Sequence, residues 1–508
     1  MKTAQAIDQG DGMFLKVNGG YHYRLVRLLI QRGLGVLYFV AFLIIYFQWA
    51  PLLGEQGLLP VPIFVKFARF WDYPSLFIFF YTDSFAKALS ICGLALSLLA
   101  FSGFSEKWGR LVSLFVWLIL WLLYLSFVNV GQLFYSYGWE ILLLEAGFLA
   151  IFLGSDRDES TGVMILLFRW LLFRVMFGAG LIKIRGDECW RVLSCMQYHY
   201  ETQPLPNPLS WYFHHTPQWF HTLEVLVTHV VELVLPFFYF GWRRMRIIAG
   251  LSAMGFQLLL IASGNLSWLN YITLVIAWGC LDDEFLTSLF RFARRRVDQL
   301  NQQVVKSLIH RRVNQGLFIL ILGLSIAPVM NLVSSHQMMN ASFDSVHLVN
   351  TYGAFGSVSK ERDEVIFFGT LDQDVDSHTH WLEYEFKGKP GSVERGSPVV
   401  SPYHWKLDWQ MWFAAMATPQ EYPWIFHFVL HLLRGDPQTL SLIDQDPLRG
   451  LAPRWIKADL YRYEFTSWEE REKSGRVWKR AKIGQYLSPL SLQSPELRRF
   501  AVDQGWLE

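Results

Sequence analysis

Apolar residues in this chain come in long blocks, and the blocks end near residue 335. A helix needs about 20 mostly apolar residues to cross the hydrocarbon of a bilayer. Runs near that length lie at 33–53, 84–104, 110–129, 138–154, 162–184, 219–241, 246–264, 267–283 and 315–334, so the pattern predicts about nine spans. Pro51, Pro60, Pro62 and Pro74 interrupt the apolar sequence between the first two runs. Proline cannot continue a helix, and this stretch reads as an interfacial or re-entrant segment. Beyond residue 335 the period changes. Residues 362–371, 380–387 and 455–466 alternate, with Leu382, Tyr384 and Phe386 set against Trp381, Glu383 and Glu385, which is the period of half-buried strands. Residues 408–416 and 423–433 have helical spacing with aromatic faces. The expected architecture is an α-helical polytopic membrane domain over 1–335, followed by an α+β soluble domain with antiparallel strands over 336–508.

Composition agrees with a membrane class, because 52% hydrophobic and 17% charged residues depart from a soluble average in both directions. A net charge of +2 over 508 residues gives no basic field for nucleic acid. The polar, basic N-terminal stretch lacks a cleavable signal pattern, so the first apolar block is expected to act as an uncleaved signal anchor. Lysine and arginine are retained on the cytoplasmic side during insertion. Arg24, Arg27, Arg32, Lys107, Arg110, Arg243, Arg244, Arg246 and the run from Arg291 to Arg312 fall on one side of a nine-span topology. Only Lys66, Arg69, Lys183, Arg185 and Arg191 fall on the other. The N-terminus is therefore expected in the cytoplasm, with residues 336–508 on the outer face, which is the periplasm of a bacterium or the lumen of the endoplasmic reticulum.

A charge in hydrocarbon costs several kcal/mol unless it is paired or hydrated. The fourth run contains Glu140 and Glu145, the fifth Arg169, Arg174 and, at its end, Lys183, and the sixth His221, Glu224, His229 and Glu232. At 100° per residue the four groups of the sixth run form one polar stripe. Three arrangements suit them. Glu145, Arg174, His229 and Glu232 make a buried ion-pair cluster that fixes the bundle. Alternatively, two His-x-x-Glu steps bind a metal, although bundle metal sites usually run Glu-x-x-His, so no metal is expected. In the third arrangement Lys183, partly desolvated in an outward cavity beside His221 and Glu140, acts as base or nucleophile of a membrane enzyme.

After the fifth run comes an aromatic, proline-rich loop, residues 185–218, expected to form a structured lid at headgroup level. It begins Gly180-Leu-Ile-Lys-Ile-Arg-Gly-Asp187, continues through Cys189-Trp-Arg191, and includes Tyr198-His-Tyr-Glu-Thr-Gln-Pro-Leu-Pro-Asn-Pro208. These strings resemble the signature of the lipase maturation factors. Trp381–Pro390, Ser401–Ala415 and Ala458–Thr466 are similar to the soluble domain of the same family. The resemblance implies a membrane-resident helper, without a cofactor, that promotes folding or assembly of a secreted lipase or other exported hydrolase. Phe177-Gly-Ala-Gly-Leu-Ile-Lys183 is also distantly similar to the transmembrane domain of vitamin K-dependent carboxylases, where the matching lysine is a base. Snorkelling to the interface is the simpler account of Lys183.

Cys189 and Cys195, facing an oxidising compartment, are expected to form a disulfide that staples the lid. Cys92 and Cys280 lie inside apolar runs as packing residues. Trp405, Trp409, Trp412 and Phe413 recur at helical spacing and read mainly as core. Tyr384, Phe386, Tyr403, Trp405 and Trp424 are the candidate client contacts, since aromatic anchors dominate protein interfaces. The absence of a Gly-x-Ser-x-Gly elbow argues against a lipase in its own right.

Overall fold

A computed structural model describes residues 22–156, 158, 162–290 and 307–506. Lys2, Lys16, Arg157 and the basic residues Arg291, Arg294, Arg295, Arg296 and Lys306 lie outside the described residues. The nine apolar runs become helices α1 Arg24–Leu53, α2 Asp83–Ser102, α3 Arg110–Val130, α4 Gly138–Ile151, α5 Gly162–Arg185, α6 Gln218–His229, α7 Arg243–Ser263, α8 Leu269–Ala277 and α9 Leu308–Leu324. A π turn, Val230–Val234, and a 3-10 turn, Leu235–Phe240, extend α6, and α10, Ile326–Val333, extends α9. Among the described residues seven of these elements are long and apolar enough to cross a membrane. Helices α4, with 14 residues, and α8, with 9, are too short for that. The side chains of α4 are almost all buried, as in a core helix packed against longer neighbours.

The start of α1, the start of α3 with the turn before α5, and the start of α7 with the turn after α8 are tied together by charged contacts at a first end of the bundle. Arginines and carboxylates interlock at the first end. Arg243 and Arg246 share Asp282, Arg110 pairs with Asp158, and Arg32 with Glu106. Asp283 accepts from the backbone N–H groups of Arg24, Leu25 and Val26 at 2.8, 2.9 and 3.2 Å. It caps α1 with a negative charge where the helix dipole is positive.

The C-terminal region sits on the opposite end. Strands β1 Arg362–Thr370, β2 Leu382–Glu383, β5 Trp455–Phe465 and β6 Trp478–Leu490 form an antiparallel sheet in the order β2-β1-β5-β6. Strands β3 Glu385–Phe386 and β4 Ile443–Gln445 form a separate pair. The single strand expected over 380–387 is therefore split at Tyr384, whose N–H still bonds Phe367 while the next residues turn to β4. Strand β6 escaped the alternation test because Lys479 to Gln485 are mostly exposed on both faces of this edge strand. Charge and bulged pairing with β5 are common protections for such an edge.

Helices α11 Lys406–Ala414 and α12 Trp424–Leu433 lie between sheet and bundle. Phe428 meets Phe367 of β1 at 5.3 Å, and Trp409 meets Trp139 of α4 at 5.0 Å. One apolar core consequently runs from the bundle through α11 and α12 into the sheet. Ile366, Phe368, Tyr463, Phe465 and Trp478 form a second buried cluster with Trp211 of the loop 185–218.

Candidate functional site

Most of the polar residues singled out in the sequence gather where the lid, α4, α5, α6 and the C-terminal region meet, whereas Arg169 donates to the Gly279 carbonyl at 2.7 Å and lies over the Tyr23 ring at the first end. Lys183, at the end of α5, donates to both carboxylate oxygens of Glu232 at 2.6 and 2.7 Å. The ring of Trp190 covers its ammonium at 5.5 Å, and both members of the pair are buried. Local sequence explains the reach. A Cβ on Gly180 would come within 2.8 Å of Leu233 Cδ2 and 2.9 Å of Glu232 Cβ, so glycine lets α5 approach the π turn that carries Glu232. A lysine base needs a free amine. Here the ammonium is held by a carboxylate, an arrangement that serves anchoring better than proton abstraction.

The single cluster expected from Glu145, Arg174, His229 and Glu232 separates into two. Glu232 takes Lys183, and His229 Nε2 lies 3.0 Å from the carbonyl of Trp190 in the lid. Glu145 pairs with Arg174 below the C-terminal segment. Tyr352 donates its hydroxyl to the Glu145 carboxylate at 2.7 Å, and Asn350 donates its backbone N–H at 3.1 Å. Arg174 donates in turn to the Asn350 carbonyl at 2.7 Å. Residues 350–352 are buried against α4 and α5, where Asn350 and Tyr352 complete the hydrogen bonding of the Glu145–Arg174 pair.

Glu140 and His221 are not placed beside Lys183 as a catalytic set. Glu140 pairs at 2.8 Å with Lys406 of α11 and also accepts from the Tyr124 hydroxyl. His221 Nδ1 lies 3.1 Å from Glu224, which accepts the Tyr200 hydroxyl at 2.6 Å. Among the described residues no group of three or more His, Cys, Asp or Glu is placed to hold a metal ion.

The lid is folded and clamped. Its short helices are Glu188–Arg191, Met196–Thr202 and Ser210–His214, and a disulfide between Cys189 and Cys195 ties the first to the start of the second. Indole N–H groups stitch it to the C-terminal region: Trp190 donates to Phe355 at 2.9 Å, Trp211 to Thr466 at 2.9 Å, and Trp412 to Thr202 at 3.0 Å. Arg362 of β1 does most. Its guanidinium donates to the carbonyls of Glu201 at 2.8 Å, Gln203, and Pro204 at 2.9 Å, and is held from behind by Glu364, itself 3.0 Å from Lys389. The lid carbonyls are left over because prolines 204, 206 and 208 forbid a helix there. Asn265, in a glycosylation-like sequon, is buried and structural. It donates to Pro206 at 3.1 Å and Pro398 at 2.8 Å and accepts from Val400 at 2.8 Å. Burial, aided by the nearby Lys183 ammonium, pushes His199 of the lid down to about 4, so it is neutral at physiological pH.

Of the candidate client contacts, Tyr384, Phe386 and Trp424 are only 2%, 2% and 1% exposed. They pack in the shared core and cannot be presented to a partner. Alternation and helical spacing identify a buried face but not what covers it. Tyr403 and Trp405 remain half-buried, 4.7 Å apart, with the Lys387 ammonium 4.5 Å from the Trp405 ring. Arg362, Asn350 and Lys406 carry no motif, and the sequon at Asn265 points to a surface role rather than the buried one observed. A buried charge late in the chain, such as Lys406 inside an aromatic stripe, was the one available sign.

Two family models cover the chain: the lipase maturation factor transmembrane domain matches residues 25–288, and the lipase maturation factor C-terminal domain matches residues 348–488. The chain belongs to the lipase maturation factor family. Lipase maturation factor 1 of Homo sapiens is 43% identical over 513 residues, which cover 95% of this chain and 90% of that protein. The Bos taurus protein of the same name is 42% identical over 524 residues, covering 95% and 91%. Lipase maturation factor 2 of Xenopus tropicalis is 28% identical over 613 residues, covering 95% and 84%. No solved structure matches the chain. In this lipase maturation factor the two family domains meet at the clamp just described, with Arg362 and Lys406 contributed by the C-terminal domain and the lid and Glu140 by the transmembrane domain.

Proposed function

We propose that this chain is a membrane-anchored maturation factor that assists folding or assembly of secreted lipases or other exported hydrolases. The observation that carries the reading is the match of both family domains across nearly the whole chain to relatives named for lipase maturation. The geometry supports a non-enzymatic role, because Lys183 is neutralised by Glu232 and the conspicuous charges serve as cross-braces. The N-terminal, arginine-rich end belongs on the cytoplasmic side, and the clamped lid and C-terminal domain on the outer or lumenal side, where exported clients fold. Tyr403 and Trp405 are the aromatic residues retained as client surface.

Crosslinking in native membranes followed by capture of the full chain is expected to recover a secreted hydrolase. Co-expression is expected to raise the yield of active secreted lipase, with Lys183→Met tolerated and Tyr403→Ser/Trp405→Ser defective at unchanged abundance. Loss of function in Lys183→Met at full abundance would restore the enzymatic alternative. A C-terminal reporter active only in the cytosol would refute the topology.

A further inference from the structure

The segment between α1 and α2, residues 54–82, is built inside out. Its polar anchors face the bundle. Asn129 donates to the Pro74 carbonyl at 3.0 Å, Ser75 donates its hydroxyl to the Ser126 carbonyl at 2.8 Å, and Gln132 donates to the Leu59 carbonyl at 3.0 Å. Its large rings face away: Phe67 and Trp71 are each 84% exposed, Phe79 72% and Phe80 57%. These rings are set against one another, with Phe70 5.5 Å from Trp71 and 5.2 Å from Phe79. In water each such ring forfeits about 2 kcal/mol of burial, and a contiguous exposed patch of this kind marks an interaction surface.

We propose that residues 64–80 insert into the bilayer leaflet on the side of the C-terminal domain, as a wedge of aromatic side chains among phospholipid headgroups and upper acyl chains. Position decides for lipid over a protein partner. The segment leaves α1 at Leu53 and enters α2 at Asp83, so both ends are pinned at interface depth. Helix α2 has the smallest buried share of the seven long spans, 28%, and its exposed Ile91 and Leu98 continue the apolar surface into the hydrocarbon. Lys66 and Arg69 flank the rings in the manner of side chains that snorkel to phosphate, with Asp72 the one acidic group between Lys66 and Phe80. A cavity of about 320 Å³ opens beside the wedge, lined by Leu59, Ile63, Phe64 and Phe67 and by Gln504 and Trp506, which follow the helix Pro495–Asp503.

The test is spin labelling of the full chain in phosphatidylcholine nanodiscs, with Cys92→Ser as background and Phe67→Cys, Trp71→Cys and Phe79→Cys made singly. Leu98→Cys marks hydrocarbon, and Lys473→Cys, whose native side chain is 73% exposed in the C-terminal domain, marks water. Insertion predicts oxygen accessibility close to that at 98, and accessibility to a water-soluble nickel chelate several-fold below that at 473. Nickel accessibility equal to that at 473 would leave the rings in water and overturn the proposal. Exclusion of both reagents would place protein over the segment and overturn it equally.

Discussion

Removing the Lys406 ammonium while leaving Glu140 in place should undock the C-terminal domain. The two groups are 2.8 Å apart and fully buried; Lys406 also donates to the Phe134 carbonyl at 2.9 Å and lies 3.6 Å from the centre of the Tyr135 ring. At an effective dielectric of about 20 the attraction over 2.8 Å is ~6 kcal/mol, which roughly balances the several kcal/mol lost in desolvating each ion. The pair is thus nearly neutral as a unit, but either partner alone is left buried and uncompensated. Lys406→Met is expected to cost about 3–5 kcal/mol, and Lys406→Met/Glu140→Leu to recover most of it, by the logic of replacing a buried pair with apolar side chains. Denaturant unfolding in mixed micelles measures the cycle, and limited proteolysis between residues 340 and 508 reports undocking. If the single substitutions each cost under about 1 kcal/mol and simply add, the interaction energy is absent and the balance drawn here is wrong.

Replacing Arg362 with Met strips three lid carbonyls of their donor; faster amide exchange across residues 196–214 is expected, with the bundle unaffected, and unchanged exchange would refute the clamp. His404 is buried among Tyr137, Trp139 and Trp409, and neither of its ring nitrogens finds a partner among the described residues. His404→Phe should therefore hold stability or raise it by on the order of 1 kcal/mol, read as an unchanged or higher thermal midpoint, whereas a clear loss would reveal a hidden hydrogen bond. Burial holds His199 and His347 near 4 and His427 near 3, below the ordinary 6.5. The unfolded chain then binds protons that the folded chain refuses, so stability is full above pH 6.5 and falls as pH drops toward 4. The slope is about 1.4 kcal/mol per pH unit for each histidine. Thermal midpoints from pH 7.5 to 4.5 check this, and a flat profile would contradict the burial of these rings.

The membrane class, the nine apolar helices and the family were legible in the sequence because each rests on short-range information: run length, proline placement and contiguous motifs. Helices α4 and α8 come from the two shortest runs, 138–154 and 267–283, and a helix of 14 residues rises only about 21 Å. Pairing was legible only for Glu145 with Arg174. The sequence showed that Lys183, Glu140, Glu145 and Glu232 needed partners, but those partners are fixed by which helices touch. Lys406 and Tyr352 arrive from more than 200 residues away.

The face of each aromatic stripe was determined locally as well, since Trp409 and Trp424 had to be buried by something. Only the tertiary structure decided that Trp139 and Phe134 of the membrane domain cover Trp409 and Trp424, whereas Phe386 is covered by Phe367 and Phe428 of the C-terminal region itself, all within one core. The physical reason is that hydrophobic burial is not directional. A sequence states how much apolar area must be hidden, and the packed chain alone assigns what hides it.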